Sequence, residues 1–409
     1  MWPTVLLGGA LGLGQPPAPP TPPPASQTSY PIPTAGDATP PAAAPATSTG
    51  AAPEQGAFMQ LLQGTRYGAA LDRAGVTVGG WTNSSFTAST ARRDQLPMGF
   101  NYRANDFLLQ QNWLRIDRPV DVDSDTPTFG FRSDWILPGS DYRFTLARGL
   151  WDGQSGRYGI DPVQFYGQAY LPNVGQGLDV KLGRFFAPFG VESIAAPDSS
   201  LPSRSYAFIY NPFTQTGLLT QLKLDDTWSV KNGIVMGNDV FIDPASSPYY
   251  VGGFRWAPPE GRSTAEFTTI LGSGRFDTAE QFHNPQVFDL VLTRKLTDKL
   301  TWTLEGFYGF TRDVPNVGFA NWFGVINYLT YELADNLAGT LRLEFFDDCQ
   351  GQRTGSRGLY TAITGGMTYK PAPWLWLRPE VRYDHNSRSR PFDGRADVFT
   401  ATMDVLVRW

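Results

Sequence analysis

Most marks of a metalloenzyme, a disulfide-knit domain or a helical membrane protein are missing from this chain. Its single cysteine, Cys349, cannot close an internal disulfide framework. Two histidines, His283 and His385, are the whole supply, and neither H-E-x-x-H nor C-x-x-C spacing occurs. No glycine-rich loop follows a strand to open a helix, so the usual metal and phosphate-cradling motifs are absent and no cofactor is expected. No run of about eighteen apolar residues exists, the least that carries a helix across a bilayer. Nor is there a surplus of positive charge: the net charge of −5 argues against nucleic acid as a partner.

Basic residues are lacking ahead of Arg66. The apolar stretch Val5 to Leu13, with small residues from Ala10 to Gly14, reads as a short signal peptide without its positive start, and residues 1–14 are expected to direct export. Residues 15–54 are Pro, Ala, Thr and Ser with hardly any large apolar side chains. Such a tract cannot bury enough surface to offset its ordering entropy, so a disordered, partly extended spacer is expected.

What the chain does have is aromatics, at 14%, with 12 Trp and 43 Gly, a mixture that favours strands and turns. Phe58, Leu61, Leu62 and Leu71 recur at roughly helical spacing, which predicts one small amphipathic helix over 55–74. From Val76 the period becomes two and each run lasts about ten residues, the length of a tilted strand crossing a membrane. In "KLTWTLEGFYGF" the residues Leu300, Trp302, Leu304, Tyr308 and Phe310 share one face and Thr301, Thr303 and Glu305 the other. "NLAGTLRLEFF" and "WLWLRPEVRYD" alternate in the same way, although Pro379 sits on the apolar parity of the second. The last residues, "FTATMDVLVRW", place Phe399, Met403, Val405, Val407 and Trp409 on one side.

Short connections alternate with long ones. "LDDT", "LTDK", "LADN" and "KPAP" are tight, whereas segments near 188–214, 239–248, 274–285, 311–319, 348–356 and 385–396 are long and rich in Gly, Pro, Asp, Asn and Ser. Trp228, Trp302 and Trp374 each begin a strand just past a tight turn, as one aromatic girdle would require. Excluding the short "DYRFTLARG" at 141–149 keeps the short/long alternation. The fold expected for 75–409 is therefore all-β, a closed antiparallel transmembrane β-barrel of about 16 strands, wide enough for an aqueous channel. A propeller would show a blade repeat, and none recurs. Backbone groups in lipid must pair within a closed sheet, which is why the chain ends on a well-formed strand.

The polar parity carries the cations Lys181, Lys223, Lys231, Arg342, Arg378, Arg382 and Arg408. It also carries the anions Asp179, Glu266, Asp289, Glu305, Glu344, Glu380, Asp384 and Asp404. Facing lipid, each cation would cost about 2–4 kcal/mol near the midplane and each anion less, so these residues are assigned to the lumen. Nearly balanced in sign, they suggest paired charges along a wet wall and weak ion selectivity. Strands 107–117 and 320–333 show no clear alternation, and no face is assigned to them.

The stretches "DVKLGRFFAPFGVE" (179–192) and "SRSYAFIYNPFTQTG" (203–217), in that order, resemble the β-barrel porins of diderm bacteria, distant kin of phosphate-selective porins. "LLQGTRYGAALDRAGVTVGGWTNSSFT" and "NDFLLQQNWLRIDRPVD" resemble that family's first helix and first two strands, so the likeness covers about 56–409. It implies an outer-membrane porin for passive diffusion of small hydrophilic solutes. Its partners would be outer-membrane lipid, the barrel-assembly machinery and two further copies in a homotrimer. Lysine-rich constrictions of the phosphate-selective relatives are lacking, so no substrate is implied. Phe399, Val405, Val407 and the terminal Trp409, which stands where phenylalanine is usual, are similar to the signal read during assembly. In general porins the third long loop folds inward; here that loop spans about 188–214, and Glu192, Asp198 and Arg204 are expected to face one another at a constriction.

Other barrels are hydrolases or inert adhesins. Asp384 and His385 lie near a rim, but neighbouring strand residues point to opposite faces, and His283 sits in a different loop. No catalytic set is assigned. A structural or adhesive barrel, plugged by the N-terminal helix, would differ in passing no ions.

Overall fold

The computed structural model describes residues 56–92, 99–151, 153–154, 156–243, 247–273 and 285–409. The expected signal segment, the Pro-rich spacer and His283 lie outside the described residues. Sixteen strands form one closed barrel in which each strand pairs with its sequence neighbours and the last pairs with the first. In chain order they are β1 (Thr77–Ser89), β2 (Asp106–Arg118), β3 (Thr128–Gly139), β4 (Gly159–Leu171), β5 (Leu178–Phe186), β6 (Thr214–Lys223), β7 (Trp228–Val235) and β8 (Tyr249–Trp256). The second half comprises β9 (Ser263–Leu271), β10 (Gln286–Lys295), β11 (Leu300–Val314), β12 (Gly318–Ala334), β13 (Leu337–Asp348), β14 (Gly358–Ala372), β15 (Leu375–Asn386) and β16 (Asp397–Arg408). Every strand expected from the period-two pattern is present, and 141–149 is no strand but holds one helical turn, α3 (Tyr142–Thr145).

The seam is made by β1 and β16 in register from Trp81 opposite Arg408 to Ser89 opposite Thr400. Trp409 completes it: its N–H donates to the Gly80 carbonyl at 2.9 Å and its carbonyl accepts from the Gly80 N–H at 2.9 Å. The expected single helix is two, α1 (Ala57–Leu62) and α2 (Arg66–Ala74). They are separated because Thr65 caps α2, its hydroxyl accepting from the Gly68 N–H at 3.1 Å. α1 lies at the seam, with Phe58 edge-on to Trp409 at 6.4 Å.

Outward residues fall into two aromatic belts with aliphatics between. At the tight-turn end Phe129, Trp228, Phe254, Tyr331, Tyr369 and Trp374 are exposed; at the other, Phe86, Phe107, Tyr308, Phe323, Tyr383 and Phe399. Belt residues are cross-strand partners: Phe86 with Phe107, Tyr308 with Phe323, Tyr383 with Phe399. Leu182, Ile234, Val325, Ile363, Val381 and Met403 are exposed between them. An apolar band flanked by aromatic girdles is the surface a bilayer selects.

One connection departs from the expected grammar. Residues 311–319 are not a long loop, because β11 and β12 run on to Val314 and from Gly318 and leave a three-residue turn, Pro315 to Val317. The two unphased strands have separate causes. β2 carries a bulge where its pairing with β1 jumps from Gln111 to Leu109, so Gln110 breaks the alternation. β12 is apolar on both faces: Phe323 and Val325 point out, while Trp322, Ile326 and Tyr328 are buried inside. What they pack against is the third long connection.

Candidate channel constriction

Residues 187–213 join β5 to β6 and do not stand outside the barrel. They bond to β2, to β10 and β11, and to β13, β14 and β15, strands distributed round the whole ring, which only a segment crossing the lumen can reach. On one side Gln111 of β2 donates to the Ile194 carbonyl at 2.7 Å and accepts from the Ala196 N–H at 3.1 Å. On the other, Arg378 donates to the carbonyls of Ala196 and Ser199 at 2.7 and 2.8 Å, and Thr368 to that of Ser200 at 2.8 Å. Arg342 donates to Glu192 at 2.6 Å and to the Ser203 carbonyl at 2.8 Å. Arg382 donates to the Arg204 carbonyl at 2.7 Å.

Carboxylates of the wall take the loop's N–H groups. Glu380 accepts from Ser203 N at 3.1 Å and Glu344 from Tyr206 N at 2.7 Å. Tyr206 also donates its hydroxyl to Asp384 at 2.9 Å. It opens a short helix, α4 (Tyr206–Tyr210), capped by Ser205, whose hydroxyl accepts from Phe208 N at 3.1 Å. α4 stacks on the inner wall: Tyr206 and Tyr210 lie nearly parallel to Phe346 at 5.3 and 5.2 Å. Phe100, Tyr142, Phe208, Phe213 and Tyr360 extend this into a packed core inside the barrel.

The inward assignments therefore split by environment. Arg342, Arg378, Arg382, Glu344, Glu380, Asp384 and Asp404 are buried, and they serve as clamps on the loop or on each other rather than as charges along a wet wall. Glu305 and Asp289 are buried at the loop's root. Lys231 pairs with Glu266, and Lys181 lies over the Tyr166 ring at 5.1 Å while Asp179 accepts from Gln168 at 2.7 Å. Lys223 is at a tight turn, bonded to Asp226 at 3.1 Å, and Arg408 is exposed at the same rim near Trp376. In the terminal strand Phe399 and Met403 are exposed and Val405 and Val407 half-buried, all on the outward parity.

Of Glu192, Asp198 and Arg204, the first and last lie close enough for their charges to interact, but neither side chain is committed to the other. Glu192 is bound to Arg342 and accepts from Ser205 N at 2.7 Å. Arg204 turns into an aromatic niche, 5.1 Å from Phe100 and 5.4 Å from Phe208, donating to the carbonyls of Leu201 and Pro202 at 3.0 and 3.1 Å. Burial lowers its pKa, outweighing the opposing pull of the nearby Glu192 charge. Of these three, Asp198 alone is exposed, between half-buried Pro197 and buried Ser199. It lies close enough to Arg115 of β2 for the two charges to interact.

Arg115 belongs to a charged ladder that the unphased β2 concealed. It forks onto Asp134 of β3 at 2.7 and 2.9 Å, and Arg132 bonds Asp117 at 3.0 Å. The side chains of Arg115, Arg132 and Asp117 are 27%, 19% and 16% exposed, against 0% for Arg342 and Arg382. Water inside the barrel therefore touches the β2–β3 ladder and not the β13–β15 clamps. His385 sits on the face opposite Asp384, which is committed to Arg382 and Tyr206.

A family model described as "Putative beta-barrel porin-2, OmpL-like" matches residues 75–408. The solved outer membrane channel DcaP of Acinetobacter baumannii is similar, with a TM-score of 0.55 at 13% identity over 82% of this chain and 97% of that one. So is the anion-selective porin from Comamonas acidovorans, with 0.54 at 10% identity over 82% and 99%. The trimer form of OmpT from Vibrio cholerae gives 0.51 at 12% identity over 82% and 99%. At such identities the likeness speaks for the fold alone. A search of curated proteins gave no match.

Proposed function

The chain belongs to the OmpL-like β-barrel porin-2 family, an outer-membrane porin for passive diffusion, and we propose that its path for small hydrophilic solutes runs between Asp198 and the β2–β3 ladder. The observation that carries this is the contrast in water contact: Arg115, Arg132, Asp117 and Asp198 are wet, the β13–β15 clamps dry. Charges of both signs line that path, so selectivity between ions is weak and governed by a few side chains. Loop 187–213 forms the constriction, with its position fixed by the clamps. Reversal potentials across a salt gradient in planar bilayers test the reading. Asp198→Lys should shift preference toward anions, whereas Arg204→Ala should leave ion preference as it was. An unchanged reversal potential for Asp198→Lys would sink the assignment, and a chain that passes no ions would return the adhesive barrel.

The remaining features fit one route. Residues 1–14 act in export and 15–54 as a spacer. The last strand, with Phe399, Val405, Val407 and Trp409, is read by the barrel-assembly machinery. The channel works as a homotrimer without a chemical step, which mass measurement in detergent checks for the oligomer.

A further inference from the structure

Where the loop leaves β5, two acidic side chains stand together, and among the described residues no cation bonds either. Asp289 of β10 and Glu305 of β11 are 2% and 1% exposed and face inward. The register sets them on a diagonal, Asp289 opposite Phe307 and Glu305 opposite Val291. Each accepts one loop N–H: Gly190 donates to Asp289 at 3.2 Å and Val191 to Glu305 at 3.3 Å. The second oxygen of each, Asp289 Oδ2 and Glu305 Oε1, is enclosed, and among the described residues no donor reaches it. The two carboxyls are within hydrogen-bonding reach of one another. Gly190 adopts a φ of +70°, and a Cβ there would meet Glu305 Oε1 at 2.9 Å, so the loop backbone is pressed onto the pair.

Two ionised carboxylates cannot rest in contact in a dry site, but a single proton between them makes an O–H···O bond. The charges around them are committed elsewhere. Lys231 of β7 is held by Glu266 of β9, and Arg342 of β13 by Glu192 of the loop and by Glu344. Tyr328 of β12 is buried near Glu305 and Glu192, and among the described residues its hydroxyl meets no partner. Among the described residues no three His, Cys, Asp or Glu side chains converge as metal ligands would.

We propose that Asp289 and Glu305 bind one proton between them, and that this proton latches the root of loop 187–213 to the β10–β11 wall. When it leaves to the lumen water, two like charges remain in contact without a counter-ion. The carboxyls then separate, water enters, and Gly190 and Val191 lose their acceptors. The loop root loosens and conductance rises with pH. This rests on the loop being the constriction.

Single-channel recording over a range of pH tests the latch, with infrared difference spectra of the same protein following the protonated carboxyl. The unaltered chain should show a reversible rise in conductance coinciding with loss of a carboxyl band. Glu305→Gln, whose amide can donate to Asp289 without titrating, should keep the low-pH conductance and lose both the rise and the band. Asp289→Asn is the second variant, with folding of each checked by heat-dependent gel mobility. A conductance rise that persists in a folded variant, or no carboxyl band belonging to the pair before the rise, overturns the proton site. A band whose loss leaves conductance unchanged upholds the shared proton and overturns its hold on the channel, and with it the constriction reading.

Discussion

At the scale of single residues, the interior is governed by charges bonded to backbone. Arg342 shows the logic: its five donors serve Glu192, Glu344, Thr364 and both the hydroxyl and the carbonyl of Ser203. Arg342→Ala leaves Glu192 and Glu344 buried without that guanidinium, and removing one partner of a buried pair costs about 3–5 kcal/mol. Chemical unfolding in detergent should register that loss, and Arg342→Lys should not restore it, since an ammonium cannot reproduce the fork. Two loop carboxyls give a pH dependence. Burial pushes Asp239 up to about 8, although it accepts from Phe213 N and Thr214 N, and pushes Asp141 up to about 7. Both lie above the unfolded value of about 3.9, so the folded state holds protons that the unfolded state has released. Their contribution to stability is full below about pH 4 and is lost as pH rises toward 7 and 8. Denaturation midpoints should fall over that window, and Asp239→Asn should flatten the slope by one proton.

At the scale of elements, legibility tracked what alternates. A strand between lipid and water prints a period of two, and so β13, β15 and β16 were readable with their faces. β2 was not, because one bulge residue, Gln110, reverses the apparent phase halfway along. Its Arg115 and the partners Asp134, Arg132 and Asp117 were missed for that reason. β12 was not, because Trp322, Ile326 and Tyr328 face protein and not water. The loop's clamps left no sequence signal, since a side chain bonded to a distant carbonyl or N–H obeys no spacing rule. Its length and place in the order were visible; its turn of Arg204 into the Phe100–Phe208 niche was not. Loosening this element should widen the channel: replacing Tyr206 by Ala removes the stack on Phe346 and the bond to Asp384. The expected outcome is higher and noisier single-channel conductance with the barrel still folded.

At the scale of the whole molecule, two apolar surfaces coexist, one outside toward lipid and one inside around α4. The outer one tolerates shape and rejects charge. Met403, midway along β16 and exposed beside Phe86, should lose about 2–4 kcal/mol of stability on substitution by Arg, measured by refolding into vesicles. The inner one has a consequence for how the molecule is made. Glu192 reaches Arg342 across 150 residues of sequence, Tyr206 reaches Asp384 across 178, and Asn83 reaches Asp404 across 321. Loop closure over such spans is unfavourable until the contacts form, which makes the search slow. A segment emerging between the fifth and sixth strands must wait for the thirteenth to fifteenth before it can settle. The cylinder therefore cannot be sealed first and furnished later from solvent: the late strands have to gather round the waiting segment as they arrive.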